Sequence, residues 1–72
     1  MPYEVVGLMN ALPRIRRQAQ NRHIAMRLGR RMLNCTDLEE VYVYNPNGKL
    51  IMTRNNTVGR WVYVLKGRIK VG

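Results

Sequence analysis

The hydrophobic and polar positions change rhythm along the chain, from a helical spacing to an alternating one. The first segment, residues 3–12, is ambiguous. Its Tyr-Glu-Val-Val sequence is typical of the start of a strand, whereas its apolar residues recur at i, i+3, i+4 and i+7, which is one face of a helix. These apolar residues are Val5, Leu8, Met9 and Leu12. We leave helix and strand open for this segment.

A long helical pattern follows, from Pro13 to about Leu33. Proline suits the first turn of a helix because its missing N–H would be unpaired there. Only Gly29 weakens the segment, so the pattern predicts one long helix or two shorter helices that meet near Gly29. At about 100° per residue, apolar and basic side chains fall on opposite arcs. The apolar arc holds Ile15, Ala25, Met26, Leu28, Met32 and Leu33, and the basic arc holds Arg16, Gln20, His23, Arg27, Arg30 and Arg31.

The remainder of the chain alternates as strands do, after a short Thr36–Glu39 segment whose S/T-x-x-E pattern predicts a single helical turn. Asn45-Pro-Asn-Gly48 predicts a type I turn between two strands. Turns are also predicted at 55–59 and at Lys66-Gly67. The predicted strands cover residues 41–44, 49–54, 60–65 and 68–71.

An amphipathic helix and a one-sided antiparallel meander each have an apolar face to cover. The economical solution packs one on the other. We therefore predict an α+β fold, in which a basic amphipathic helix or helix pair lies on a meander of three to four strands. All residues, 1–72, belong to this single domain.

The composition removes several classes of protein. One cysteine cannot form an internal disulfide, and with one histidine and four carboxylates the chain lacks the ligands of a recognisable metal site. A free thiol fits a reducing compartment. No apolar run approaches the roughly 18 residues that cross a bilayer. We expect a cytoplasmic protein without membrane, metal or cofactor, and homodimer formation is left open as a source of extra stability.

Charge is the dominant feature of the composition. Thirteen Lys and Arg against four Asp and Glu give a net charge of +9 and a pI near 10.9. Such an excess attracts polyanions, of which nucleic acid is the commonest. Arginine outnumbers lysine ten to three, and its planar fork suits phosphate and the guanine edge. The predicted nucleic-acid-binding residues are Arg16, Arg27, Arg30 and Arg31 on the helix and Arg54, Arg60, Arg68 and Lys70 on the sheet, with Lys49 and Lys66 beside them.

Four aromatic residues lie at alternating positions on two predicted strands: Tyr42, Tyr44, Trp61 and Tyr63. Facing solvent together, they would form a stacking platform for a single strand. In so small a domain we instead expect them to pack inward against the helix.

The order of helix and antiparallel strands, with Arg60-Trp61-Val62-Tyr63 near the end, resembles the small ribonuclease toxins of the RelE type. The resemblance implies RNA cleavage by Arg, Lys, Tyr or His side chains, for which His23 is a candidate acid or base. No Gly-rich phosphate loop, Ser-His-Asp set or Cys-x-x-Cys is present.

We therefore expect a nucleic-acid-binding regulatory protein that is not an enzyme. The first alternative is a phage- or plasmid-type inhibitor or adaptor that docks on an acidic host protein. The second alternative is a RelE-like ribonuclease.

Overall fold

The computed structural model describes residues 2–65 and 68–71, which form one helix and a six-stranded antiparallel sheet. The elements in chain order are β1 Tyr3–Met9, β2 Leu12–Ala19, α1 Arg22–Cys35, β3 Glu40–Tyr44, β4 Leu50–Asn55, β5 Val62–Leu65 and β6 Arg68–Val71. The order of strands across the sheet is β2-β1-β3-β4-β5-β6. The fold is α+β, with the predicted meander confirmed in β3 to β6 and extended at one side by a β1–β2 hairpin.

The prediction of a helix from Pro13 is wrong, because residues 12–19 form strand β2. Residues 3–12, left open between helix and strand, contain β1 and the hairpin turn. Both turn residues have positive φ, 53° at Asn10 and 64° at Ala11. Two consecutive residues of this kind are typical of a type I′ turn, whose twist suits a two-residue hairpin. The chain therefore reverses direction before Pro13.

Proline is tolerated in β2 for two reasons. The strand lies at the edge of the sheet, and its register shifts near Pro13, where Leu8 pairs with Pro13 while the neighbouring Gly7 pairs with Ile15. Arg14 is therefore the extra residue of a bulge, and prolines in sheets are confined to such edges and bulges. Most residues of the apolar helical pattern lie at positions 25–33, so that pattern gave little information on residues 12–19.

Helix α1 begins where its first N–H groups find a side-chain partner. Asn21 is the N-cap, and its Oδ1 accepts a hydrogen bond of 2.9 Å from the N–H of Ile24. At the other end Thr36 is the C-cap, and its hydroxyl donates to the carbonyl of Met32. The single turn predicted to start at Thr36 does not form, since Thr36 ends the helix before it. One helix, and no helix pair, is present in the described part of the chain.

The core lies between α1 and one face of the sheet. Its helix residues are Ala25, Gly29, Met32 and Leu33, and its sheet residues include Val5, Val41, Val43 and Met52. Gly29 permits the closest approach, because a Cβ at this position would lie 2.8 Å from Cη2 of Trp61 and 2.9 Å from Cγ1 of Val41. Small residues at such a crossing allow the helix to sit close to the sheet.

The turns of the meander follow their sequence signals. At the β3–β4 turn, the Oδ1 of Asn45 accepts hydrogen bonds from the N–H groups of Asn47 and Lys49, and Gly48 has a φ of 80°. At the β4–β5 turn, Gly59 has a φ of 70°. These left-handed positions favour glycine. The predicted turn at Lys66-Gly67 lies outside the described residues.

Candidate functional site

A cationic groove lies where the exposed flank of α1 meets the sheet near β4. It has a volume of about 350 Å³. Its lining consists of His23, Met26, Arg27 and Arg30 from the helix and Arg54 and Trp61 from the sheet side. We call this feature the cationic groove throughout.

The helix supplies four of these residues from a single stripe. Positions 23, 26, 27 and 30 are spaced i, i+3, i+4 and i+7, so their side chains lie above one another on α1. His23, Arg27 and Arg30 are exposed, whereas Met26 is half-buried against the core. The stripe therefore begins at the core boundary and extends into solvent.

Arg54 enters the groove from β4, and its position is fixed by two contacts. It pairs in register with Val41, a core position on the helix side of the sheet. Its Nη2 donates a hydrogen bond of 2.7 Å to the carbonyl of Gly59, and its guanidinium carbon lies 5.7 Å from the ring centroid of Trp61. A cation over an aromatic face at this distance is electrostatically attracted. Contacts within the protein therefore orient the Arg54 side chain in the groove.

The lining of the groove contains no carboxylate among the described residues. Arg16 and Glu4, whose Nη1 and Oε1 lie 3.2 Å apart, form the one ion pair in the part of the chain that the structure describes. The first turn of α1 also carries no acidic residue, so the positive end of the helix dipole adds to the field there. In the described part of the chain, no acidic side chain thus pairs with the three arginines of the groove.

The aromatic residues are divided between the two faces of the sheet. Trp61 is only 9% exposed and packs on the helix, and half-buried Tyr63 packs against the same core. For this pair, the expected inward orientation is correct. Tyr42 and Tyr44 alternate with the buried Val41 and Val43, so they lie on the face away from α1, and for them the expectation is wrong. No platform of four aromatics forms.

On that outer face, the environment of Tyr42 alters its acidity. Burial raises the pKa of the Tyr42 phenol above its usual value, and electrostatic interaction with Glu40 and Tyr44 raises it further. All three effects disfavour the tyrosinate form.

The predicted site residues occupy several places. Arg27, Arg30 and Arg54 come together in the cationic groove. Arg16 was predicted on the helix, and this placement is wrong: it lies on β2 and pairs with Glu4. Of the other predicted residues, three are exposed and do not line the groove: Arg31 on α1, Arg60 between β4 and β5, and Lys49 in the β3–β4 turn. Arg68 and Lys70 lie on β6, where they pair in register with Leu65 and Tyr63, and Lys66 lies outside the described residues.

Sequence reasoning did not select Arg22, whose guanidinium carbon lies 5.6 Å from the ring centroid of Tyr63. A helix starting at Pro13 places this residue mid-helix, whereas the Asn21 cap places it in the first turn. Asparagine just before a helical pattern is the signal that could have located this start.

No protein-family model, curated protein or solved structure matches this chain. Within the described residues, no three His, Cys, Asp or Glu side chains are grouped as metal ligands require. None of the described helices has the length and apolar character needed to cross a bilayer. The chemistry of the cationic groove therefore carries the functional assignment.

Proposed function

We propose that this protein binds nucleic acid by holding backbone phosphates in the cationic groove, and that it acts as a regulator of transcription or translation. The observation that carries the proposal is the convergence of Arg27, Arg30 and Arg54, from two separate elements, on one groove that has no carboxylate among its described lining residues. Like charges repel one another in the free protein, and a bound phosphate relieves that repulsion.

Arginine in this arrangement fits phosphate better than it fits a generic anion. The guanidinium fork donates two parallel hydrogen bonds to phosphate oxygens. Arg54 is already positioned by Gly59 and Trp61, so less side-chain entropy is lost when it binds.

The same geometry favours contacts with the backbone of the nucleic acid over contacts with its bases. Trp61 lines the groove but is only 9% exposed, and the Arg54 guanidinium lies over its ring, so little of the ring is left for base stacking. Phosphate contacts position a protein on nucleic acid without carrying sequence information. The exposed Arg31 and Arg60 extend the basic surface beyond the groove. We therefore expect weak sequence preference and strong salt dependence.

The test compares two double variants that lose the same charge. Arg27→Ala/Arg30→Ala removes two arginines from the groove, and Arg14→Ala/Arg17→Ala removes two exposed arginines from β2. Fluorescence anisotropy with labelled duplex DNA, duplex RNA and single-stranded RNA, over a series of salt concentrations, measures both affinity and salt slope. Circular dichroism confirms that each variant is folded.

The groove variant should bind duplex DNA roughly 10- to 100-fold more weakly than the unaltered protein, since it loses two charge-assisted contacts. Its log–log salt slope should fall by about 2, at about 0.9 per phosphate contact. The β2 variant should lose only the smaller, long-range attraction. Equal losses in the two variants would show that net charge alone attracts the polyanion, and absence of binding at low salt would refute the proposal.

Ribonuclease activity is a second candidate function, because His23 lines the same groove as the arginines. A histidine next to phosphate-binding arginines has the position that a general acid or base needs. A ribonuclease should degrade labelled RNA during incubation, and His23→Ala should slow that cleavage by roughly 10²- to 10⁴-fold. Intact RNA at full occupancy of the groove would exclude this candidate and leave binding as the activity.

A further inference from the structure

Strand β2 forms one edge of the sheet, and its outer side carries no partner strand among the described residues. It is eight residues long, and six of them are exposed. An edge strand of this length presents a row of N–H and C=O groups that another strand can use. Because Pro13 and the bulged Arg14 interrupt the start of β2, the regular pairing segment is Ile15–Ala19.

The charge of β2 is as distinctive as its position. It holds Arg14, Arg16 and Arg17, all exposed, and no acidic residue. Arg16 is paired with Glu4 of β1, but Arg14 and Arg17 have no carboxylate partner among the described residues. Cationic side chains on an edge strand repel other cationic edges and attract acidic ones.

We propose that β2 binds an acidic, extended segment of a partner protein, which adds to the sheet as a further strand. This surface is separate from the cationic groove and does not depend on its function. Backbone hydrogen bonds along Ile15–Ala19 provide affinity once the Arg17 side chain leaves the Arg16 carbonyl, to which its Nη1 donates at 3.0 Å, and carboxylates facing the arginines provide selectivity.

Two other occupants fit this edge less well. A nucleic-acid backbone offers acceptor oxygens, so its phosphates satisfy the N–H groups of β2 but face the C=O groups with like partial charge. A second copy of the chain, paired through its own β2, brings arginine against arginine, and like charges opposite each other destabilise a strand pair. A peptide strand supplies both donors and acceptors, and acidic side chains complete the match.

The register of β2 predicts the composition of the partner strand. Ile15 and Arg17 pair with Gly7 and Val5 on the helix side of the sheet, whereas Arg16 pairs with Val6 on the outer side. Because Arg16 and Arg17 are adjacent and point to opposite faces, the partner needs carboxylates at consecutive positions. An apolar residue two positions from one of them would cover the half-buried Ile15.

The probe is a fluorescein-labelled peptide of valine and adjacent glutamates, as long as β2. Two control peptides isolate the two contributions. One has alternate N-methylated residues, which keep the charge and remove backbone donors, and the other has lysine in place of glutamate. Binding is measured by anisotropy, and amide hydrogen exchange of Ile15–Ala19 is measured by NMR with and without peptide.

We expect saturable binding of the acidic peptide and slower exchange of the outward-facing amides of Ile15–Ala19. N-methylation of the peptide should weaken binding by about tenfold or more, because several backbone hydrogen bonds are lost. The charge-reversal variant Arg14→Glu/Arg17→Glu should weaken it comparably, while Arg27→Glu/Arg30→Glu, which changes the net charge by the same amount, should lose only the smaller, long-range attraction.

Several outcomes would overturn the proposal. Equal binding of the N-methylated and unmodified peptides would show charge attraction without strand addition. Protection of the same amides by nucleic acid, or by self-association without peptide, would assign the edge to one of the other occupants. These measurements on the unaltered protein decide the question even where a β2 variant fails to fold.

Discussion

For the substitution Gly29→Ala, helix propensity and the packing seen in the structure predict opposite changes in stability. In an exposed helix interior, replacing glycine by alanine stabilises the helix by about 1 kcal/mol. In this protein, the added Cβ of Gly29→Ala would lie 2.8 Å from Cη2 of Trp61 and 2.9 Å from Cγ1 of Val41. Trp61 and Val41 are 9% and 0% exposed, so neither can move freely into solvent.

The packing cost should exceed the propensity gain. Forcing an extra carbon into a well-packed core typically costs about 1–3 kcal/mol. Two short contacts against buried neighbours place this site in the upper part of that range. We expect Gly29→Ala to lower the free energy of unfolding by about 1–2 kcal/mol, and each kcal/mol shifts the Tm by about 4–8 °C in a domain of this size.

Thermal and urea denaturation followed by circular dichroism measure this change. The matched control is Asn34→Ala, which lies on the exposed side of the same helix. It should raise stability slightly, by up to about 0.7 kcal/mol, because asparagine is a poorer helix former than alanine. A displaced Trp61 also moves the ring against which Arg54 packs, so Gly29→Ala should weaken polyanion binding as well.

A rise in the Tm of Gly29→Ala, similar to that of the control, would refute the reasoning. It would mean that α1 does not contact Trp61 and Val41 as closely as the structure places it.

Two further predictions concern the β1–β2 turn and the outer face of the sheet. Ala11 has a φ of 64°, and a non-glycine residue pays about 1–2 kcal/mol for this conformation. After the greater unfolded-state entropy of glycine is subtracted, Ala11→Gly should stabilise the fold by about 0.5–1 kcal/mol in urea denaturation, and no gain would contradict the type I′ turn. Tyr42 has a pKa raised by burial and by Glu40 from a usual value of 10.0, so folded protein keeps this proton to higher pH than unfolded protein does. The resulting stabilisation is complete below pH 10 or so and falls as the pH rises through the folded-state pKa. Tyr42→Phe should flatten that alkaline decline in stability measurements, and an unchanged pH profile would show that Tyr42 does not titrate differently in the two states.

The hairpin around Asn45–Gly48 and the α+β class were predictable because their signals are local. A turn needs a glycine at the left-handed position and an asparagine that can accept from the following amides, and both are visible in the sequence. The apolar stripe of α1 is equally local, since residues 25–33 repeat at the helical period. The charge that attracts a polyanion is a property of composition alone.

Only the tertiary structure determined what residues 12–19 would become. Their few apolar residues fit either period, and in the fold they pair with β1, whose other side pairs with β3. Because residues 12–19 form a strand, Arg16 lies on an edge strand and not on the helix, and the edge formed by β2 is basic.

The sequence by itself thus determined the charge, the class of fold and the local turns, because each depends on neighbouring residues or on composition. The tertiary structure alone brought Arg54 beside Arg27 and Arg30, and it buried Trp61 while leaving Tyr42 on the opposite face. Which residues share a groove depends on strand order and on the close crossing of the helix at Gly29. Those contacts join residues that are far apart in the chain, so no local sequence pattern predicts them.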